Sequence, residues 1–161
     1  FHKELINRSL CSLFLPGNIL ENQDMTLITY CTQGYLALAE VEDLDICRAL
    51  NMISSLLTAM MKAERRFFFI GEYSLAPESV YVRTEDCQVY LIYRKAEYND
   101  EKQVYEKLID LIEIVKTKVV HGGESYLDTA AGYLRRGRSS IGVVRHRIEE
   151  LEREARACKF R

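Results

Sequence analysis

Apolar residues recur along this chain with two periods, and the period changes wherever Gly or Pro intervenes. From Leu44 to Arg66, the residues Leu44, Cys47, Leu50, Ile53, Leu57, Met60 and Met61 follow at three- and four-residue steps, the spacing of a helix. A second set, Ile46, Ala49, Leu56 and Ala59, widens the stripe. The segment is therefore expected to be a central helix buried over more than half its circumference. Met52, Met60 and Met61 read as gap-filling core rather than as a groove for a partner. Upstream, residues 3–14 set Leu5, Ile6, Ser9, Leu10, Leu13 and Phe14 at helical spacing until Pro16-Gly17 ends the run. Residues 25–32 are rich in β-branched and aromatic side chains and predict a strand, broken at Gln33-Gly34.

After the apolar run 67–70, alternation takes over between Ser79 and Arg94. Val80 and Val82 alternate with Tyr81 and Arg83. A turn at Thr84-Glu85-Asp86 follows, and Cys87, Val89, Leu91 and Tyr93 fall on one face, so a hairpin is predicted. Three helices should close the chain. The first, over 100–119, has Asp100 as N-cap and Gln103 three residues later, with a stripe of Val104, Leu108, Leu111, Ile112 and Val115. His121-Gly122-Gly123 stops it. Ser125 and Asp128 form a second capping-box pattern opening a helix to Arg136, and after a break at 137–140 a last helix covers 141–160. The order is that of an α+β fold, mostly helical, with a long central helix, a small β-hairpin and C-terminal helices.

The length of 161 residues accommodates one domain with a helical appendage. We divide it as 1–136 for the α+β domain and 137–161 for a C-terminal amphipathic helix, packed on the domain or dimerising. With 48% hydrophobic and 29% charged residues the composition is that of a globular protein. A net charge of −2 gives no global attraction to nucleic acid. No apolar run is long enough for a membrane span, and no signal-peptide pattern is present. The chain opens on Phe1, which reads as a piece of something longer. Cys11, Cys31, Cys47, Cys87 and Cys158 are scattered and odd in number, so reduced thiols in a cytoplasmic setting are expected, most of them as small buried hydrophobes. His2, His121 and His146 stand far apart, and neither a metal nor a cofactor is expected.

Two features of the C-terminal quarter carry further readings. Arg135, Arg136, Arg138, Arg145 and Arg147 form a candidate anion or phosphate patch. Its occupant would be nucleic acid, anionic lipid or a phosphopeptide, or the patch is a solvated, salt-bridged surface. The acidic Glu149, Glu150, Glu152 and Glu154 that follow count against nucleic acid. Were a membrane span to follow Arg161, the same cluster would be juxtamembrane and positive-inside. In the last helix, Ile141, Val144, Ile148, Leu151, Ala155 and Cys158 step by 3, 4, 3, 4 and 3, a heptad seam. As a parallel homodimer it would oppose Arg147 to Glu152 and Glu154 to Lys159. As an intramolecular stripe it would lie on the domain's own core, the reading favoured because the seam is short.

The segment Leu75-Ala76-Pro77-Glu78-Ser79-Val80-Tyr81-Val82 resembles the protein-kinase C-lobe segment Leu-Lys-Pro-Glu-Asn-Ile-Leu-Val. After the turn, Val89-Tyr90-Leu91-Ile92-Tyr93 resembles Val-Lys-Leu-Ile-Asp, and a long hydrophobic helix precedes both. Residues 10–136 are more closely similar to an uncharacterised bacterial domain that commonly precedes a forkhead-associated (FHA) domain in Gram-positive proteins. That family is similar in layout to the pseudokinase-like membrane component of type VII secretion. Where it typically has a Pro soon after the second strand, this chain has Arg94-Lys95.

The resemblance implies a kinase-like scaffold whose chemistry is gone. Aligned on Pro77, the catalytic Asp position falls on Ser74, the magnesium-binding Asn on Ser79 and the Asp of Asp-Phe-Gly on Tyr93. Phosphoryl transfer needs a positioning carboxylate and oxygen ligands for magnesium. None of these three residue types supplies them, and neither a GxGxxG loop nor a Val-Ala-Ile-Lys strand precedes the region. Glu72 as a substitute base is outweighed by its reading as a loop charge. The implied protein is a non-catalytic interaction, signalling or assembly module, with an FHA domain elsewhere in the parent chain, placed in the cytoplasm or as the cytosolic part of a membrane-anchored protein. The alternatives are a nucleotide-binding regulator using the degenerate cleft, and a dimeric binder of nucleic acid or anionic lipid through residues 135–147.

Overall fold

The computed structural model describes residues 2–8, 11–68, 71–95, 97–137 and 139–159. Ser9, Leu10, Phe69, Ile70, Arg138 and Phe160, which enter expectations above, lie outside the described residues. Elements run in the order α1 (His2–Asn7), β1 (Gly17–Glu21), β2 (Thr26–Tyr30), β3 (Tyr35–Ala37), α2 (Ile46–Glu64), β4 (Val80–Arg83), β5 (Val89–Leu91), α3 (Glu101–Thr117), α4 (Glu124–Arg135) and α5 (Ile141–Lys159). The fold is α+β and mostly helical.

The central helix is α2. Asp45 caps it, its carboxylate accepting from Arg48 N–H at 3.1 Å, and the broad stripe buries Ala49, Leu50, Leu56, Leu57 and Ala63. The helix ends in a Schellman turn, Phe68 N–H bonding to the Ala63 carbonyl at 3.1 Å. Phe67, not a glycine, takes the left-handed position there, at φ 63°. α5 packs along α2 through Val144, Ile148, Leu151 and Ala155, which are all buried in one core continuous with α2, α3 and α4. Val144, Ile148 and Leu151 each contribute about 1.5–3 kcal/mol on burial. The last helix thus lays these four positions on the core that α2 builds.

Two small sheets serve this helical frame. β3, β4 and β5 form an antiparallel sheet with Leu36 opposite Val82 and Val80 opposite Leu91. Val80, Val82, Val89 and Leu91 are buried on its inner face. β1 and β2 form a separate hairpin with Ile19 opposite Ile28 and Leu20 opposite Leu27.

Several expectations are corrected. The predicted helix over 3–14 stops at Asn7. Leu13 to Leu15 run extended beside β5 instead, Leu91 N–H bonding to the Leu13 carbonyl and Leu15 N–H to the Leu91 carbonyl, at 2.7 and 3.0 Å. An apolar run of this density fits either period, and the bare sheet edge decides between them. β1 and β3 escaped the sequence reading because each is short and follows a breaker. Cys87 is not on the β5 face but in the turn, at φ 59°. The Asp100 cap forms, accepting from Gln103 N–H at 2.8 Å. The Ser125–Asp128 box does not: α4 is capped two residues earlier, with Gly123 as N-cap at φ 100°. A side chain at Gly123 would meet Ile46 at 2.9 Å, so only glycine fits. Among the cysteines, all free, only Cys11 is buried; Cys31 and Cys158 are exposed at the end of β2 and of α5.

Candidate functional site

The segment singled out by the Pro-Glu motif is built as a tight relay of backbone bonds. Gly71, at φ 98°, lies so close to Tyr98 that a Cβ would meet the Tyr98 carbonyl at 2.5 Å, and its own carbonyl accepts from Glu97 N–H at 2.8 Å. The Glu72 carbonyl accepts from Arg94 N–H at 2.9 Å, and Tyr73 forms an antiparallel bridge with Tyr93. Leu75 N–H donates to the Tyr98 hydroxyl at 2.8 Å. The Ala76 carbonyl accepts from Ser79 and Val80 N–H, at 2.8 and 3.1 Å, closing the turn around Pro77 that launches β4. The Pro77 carbonyl in turn holds Ala39 N–H at 3.1 Å.

Beside this relay lies an open groove of about 1060 Å³. Its roof is the inner face of the β1–β2 hairpin, including Ile19, Ile28 and Tyr30; its floor is the stretch after β5, with Glu72. Carboxylates of Glu21, Glu72 and Glu97 and the cations of Arg94 and Lys95 share it, so neither sign dominates. Tyr93 sits at the junction. Its ring packs edge-on against Phe14 and Phe68, with centroids 5.9 and 6.0 Å away, and its hydroxyl donates to Glu72 Oε1 at 3.5 Å. Burial first, and the Glu72 charge second, push the Tyr93 phenol above its ordinary pKa.

Of the three kinase-aligned positions, Tyr93 lines the groove, whereas Ser74 and Ser79 are buried away from it. The Ser74 hydroxyl oxygen accepts from Ala76 N–H at 3.3 Å. Three contributors were missed in the sequence. The Tyr30 hydroxyl accepts from Tyr93 N–H; alternation with Ile28 on one strand face was its only signal. Phe14 and Phe68 converge on Tyr93 from distant segments, a contact that no local pattern encodes. No protein-family model and no curated protein matches this chain.

The described arginines of 135–147 have different surroundings. Arg135 pairs with Glu113 at 3.2 Å, and Arg145 Nε lies 3.8 Å from Glu149. Arg147 stacks on Tyr133 at 5.2 Å. Arg136 is exposed at the end of α4. Arg138 lies outside the described residues. Two of the four described arginines, Arg135 and Arg145, are thus paired with carboxylates on their own or a neighbouring helix. Of the charges assigned to a parallel dimer, Glu152 pairs within the chain with Arg156 at 2.7 Å and Lys159 with Asp45 at 3.3 Å. Ile141 is half-buried and Cys158 exposed, 3.7 Å from the Tyr126 hydroxyl. The four positions between them are buried in the core where α5 meets α2. Among the described residues, no helix is long and apolar enough to cross a membrane.

Proposed function

We propose that this chain is a non-catalytic, pseudokinase-like protein-interaction module serving signalling or assembly in a larger bacterial protein. The observation that carries the reading is Tyr93. Where the kinase resemblance calls for a magnesium-chelating Asp, the chain has a phenol packed against Phe14 and Phe68 and hydrogen-bonded to Glu72. A phenol held neutral by burial is a poor ligand for a hard divalent cation. Arg94 and Lys95, on the same groove, offset the carboxylates that share it. The Ser74 hydroxyl at the base position is engaged by the Ala76 amide. The binding half of the reading is supported by the groove and by Leu20, Met25 and Leu27, large apolar side chains exposed on the hairpin above it. Five free thiols support a cytoplasmic setting.

Thermal unfolding with ATP, with and without magnesium, tests the reading. A ligand at a hundred times its dissociation constant adds about 2.7 kcal/mol and would raise the midpoint by roughly 5–10 °C in a domain of this size. The expected response is flat. A magnesium-dependent rise would overturn the proposal in favour of a nucleotide-binding regulator.

A further inference from the structure

The β1–β2 hairpin has one covered edge and one open edge. Asn22 N–H bonds to the Met25 carbonyl at one end and Cys31 N–H to the Pro16 carbonyl at the other. With the register between them, Asn18–Thr29 and Leu20–Leu27 are the pairs that bond across the hairpin. The intervening residues therefore aim their backbone groups outward: Gly17, Ile19 and Glu21 from β1, and Thr26, Ile28 and Tyr30 from β2. On the β1 side Asn7 Oδ1 takes the Ile19 N–H at 2.6 Å. On the β2 side, among the described residues, no backbone hydrogen bond meets the three outward sets.

Open edges are usually blunted by a lysine, a proline, a bulge or a charge. Residues 25–32, Met-Thr-Leu-Ile-Thr-Tyr-Cys-Thr, contain no Lys, Pro or charged residue, and the pairing runs without a bulge. The solvent face adds an apolar cross-strand pair, Leu20 at 63% exposure and Leu27 at 50%, with Met25 at 62% beside them. A two-stranded sheet is also below the size that is stable alone.

We propose that this edge is completed by the same edge of a second copy of the chain, the two β2 strands pairing antiparallel about a dyad at Ile28. The strand is complementary to itself. Antiparallel, Ile28 meets Ile28 and Thr26 meets Tyr30, so each outward donor finds an outward acceptor. No charge on the strand repels its own image. Leu27 comes opposite Thr29, and the two Leu27 side chains meet diagonally, so the Leu20–Leu27 pairs of the two copies lie in neighbouring rows of the four-stranded sheet. At each end, the turn that carries Asp24 approaches the Tyr30 end of the other copy, where Arg94 and Lys95 share the groove with Tyr30. The assembly is isologous and closed, consuming both edges. Thr26, Ile28 and Tyr30 also line the groove, so the second copy would border it.

Sedimentation equilibrium of the 161-residue chain tests this. The wild-type chain should approach twice its 18.7 kDa mass as concentration rises. A Leu27→Lys/Thr29→Lys variant, changed only at exposed positions, should keep its far-ultraviolet circular dichroism and sediment as a monomer, because lysines then oppose lysines across the dyad. A Leu27→Glu/Thr29→Glu variant should do the same alone, and an equimolar mixture of the two should return to the dimer mass. A wild type that stays monomeric at every concentration, open-ended oligomers, a lysine variant that still dimerises, or a mixture that stays monomeric would each overturn the proposal.

Discussion

The hydroxyl of Tyr30 accepts the backbone N–H of Tyr93 at 2.9 Å and donates back to the carbonyl of the same residue at 3.4 Å. One side chain thus occupies both main-chain groups of a residue 63 positions away. The roof of the groove is thereby bound to its floor. Tyr30→Phe keeps the ring and leaves a half-buried amide without its partner, which costs about 1–2 kcal/mol. The expected result is a correspondingly lower unfolding free energy and a Tyr93 amide that exchanges its hydrogen about tenfold faster or more. An unchanged exchange rate at that one amide would show that the hairpin is held by other contacts.

Asp45 joins two ends of the core. It caps α2 through Arg48 N–H and meets Lys159 of α5 at 3.3 Å. Partial burial raises its pKa, but the Arg48 amide and the Lys159 ammonium outweigh this and hold the carboxyl below its ordinary value. A depressed carboxylate stabilises the fold above its unfolded pKa of about 3.9, and that contribution is lost as pH falls through the folded value. Asp45→Ala should cost about 1 kcal/mol at neutral pH. Asp45→Asn retains the cap, so it should cost less and should flatten the acid limb of stability against pH. Equal losses in both variants at neutral pH would assign the effect to the ion pair and not to the cap.

The elements most legible in the sequence are those whose pattern and punctuation agree. α2 has a wide stripe and an Asp cap; α3 has its stripe and Asp100; β4 has strict alternation after Pro77. The illegible parts are decided by tertiary context. Leu13 to Leu15 carry a helical spacing yet pair with Leu91, because a sheet edge lies open beside them. α4 ignores its capping box since Gly123, packed on Ile46, fixes where the chain turns. The groove is the least legible of all. Tyr30, Glu72 and Tyr93 come from three separate segments, and only their positions after folding make them neighbours.

Ile148 separates the two readings of the last helix. It is fully buried, at 0% exposure, at the centre of the stripe that faces α2. Ile148→Ala should therefore cost about 2–5 kcal/mol and lower the thermal midpoint, while leaving the oligomeric state of the folded protein as it was. Circular dichroism melts combined with sedimentation of the variant make the check. A folded variant of undiminished midpoint that sediments with altered mass would return this residue to an intermolecular seam.

Alkaline pH should erode the fold through its tyrosines. Burial, reinforced by the charge of Glu64, pushes the Tyr73 phenol well above its ordinary value. Burial and then the Glu101 carboxylate, 3.0 Å from its hydroxyl, push Tyr105 up to about 12. Tyr30, Tyr90 and Tyr93 are raised in the same direction, burial being the leading cause in each. Between the unfolded phenol pKa of about 10 and these higher folded values, the native chain holds protons that the unfolded chain has released. Stability then falls as pH rises, since the unfolded state binds fewer protons. The thermal midpoint should decline from about pH 10 upward, with tyrosinate absorbance appearing together with unfolding rather than before it. Tyr73 is the most buried of the group, at 2% exposure, so Tyr73→Phe should flatten that decline more than Tyr90→Phe does. Tyrosinate formation that runs to completion in a still-folded protein would show that these phenols titrate freely, and the alkaline limb would then need another source.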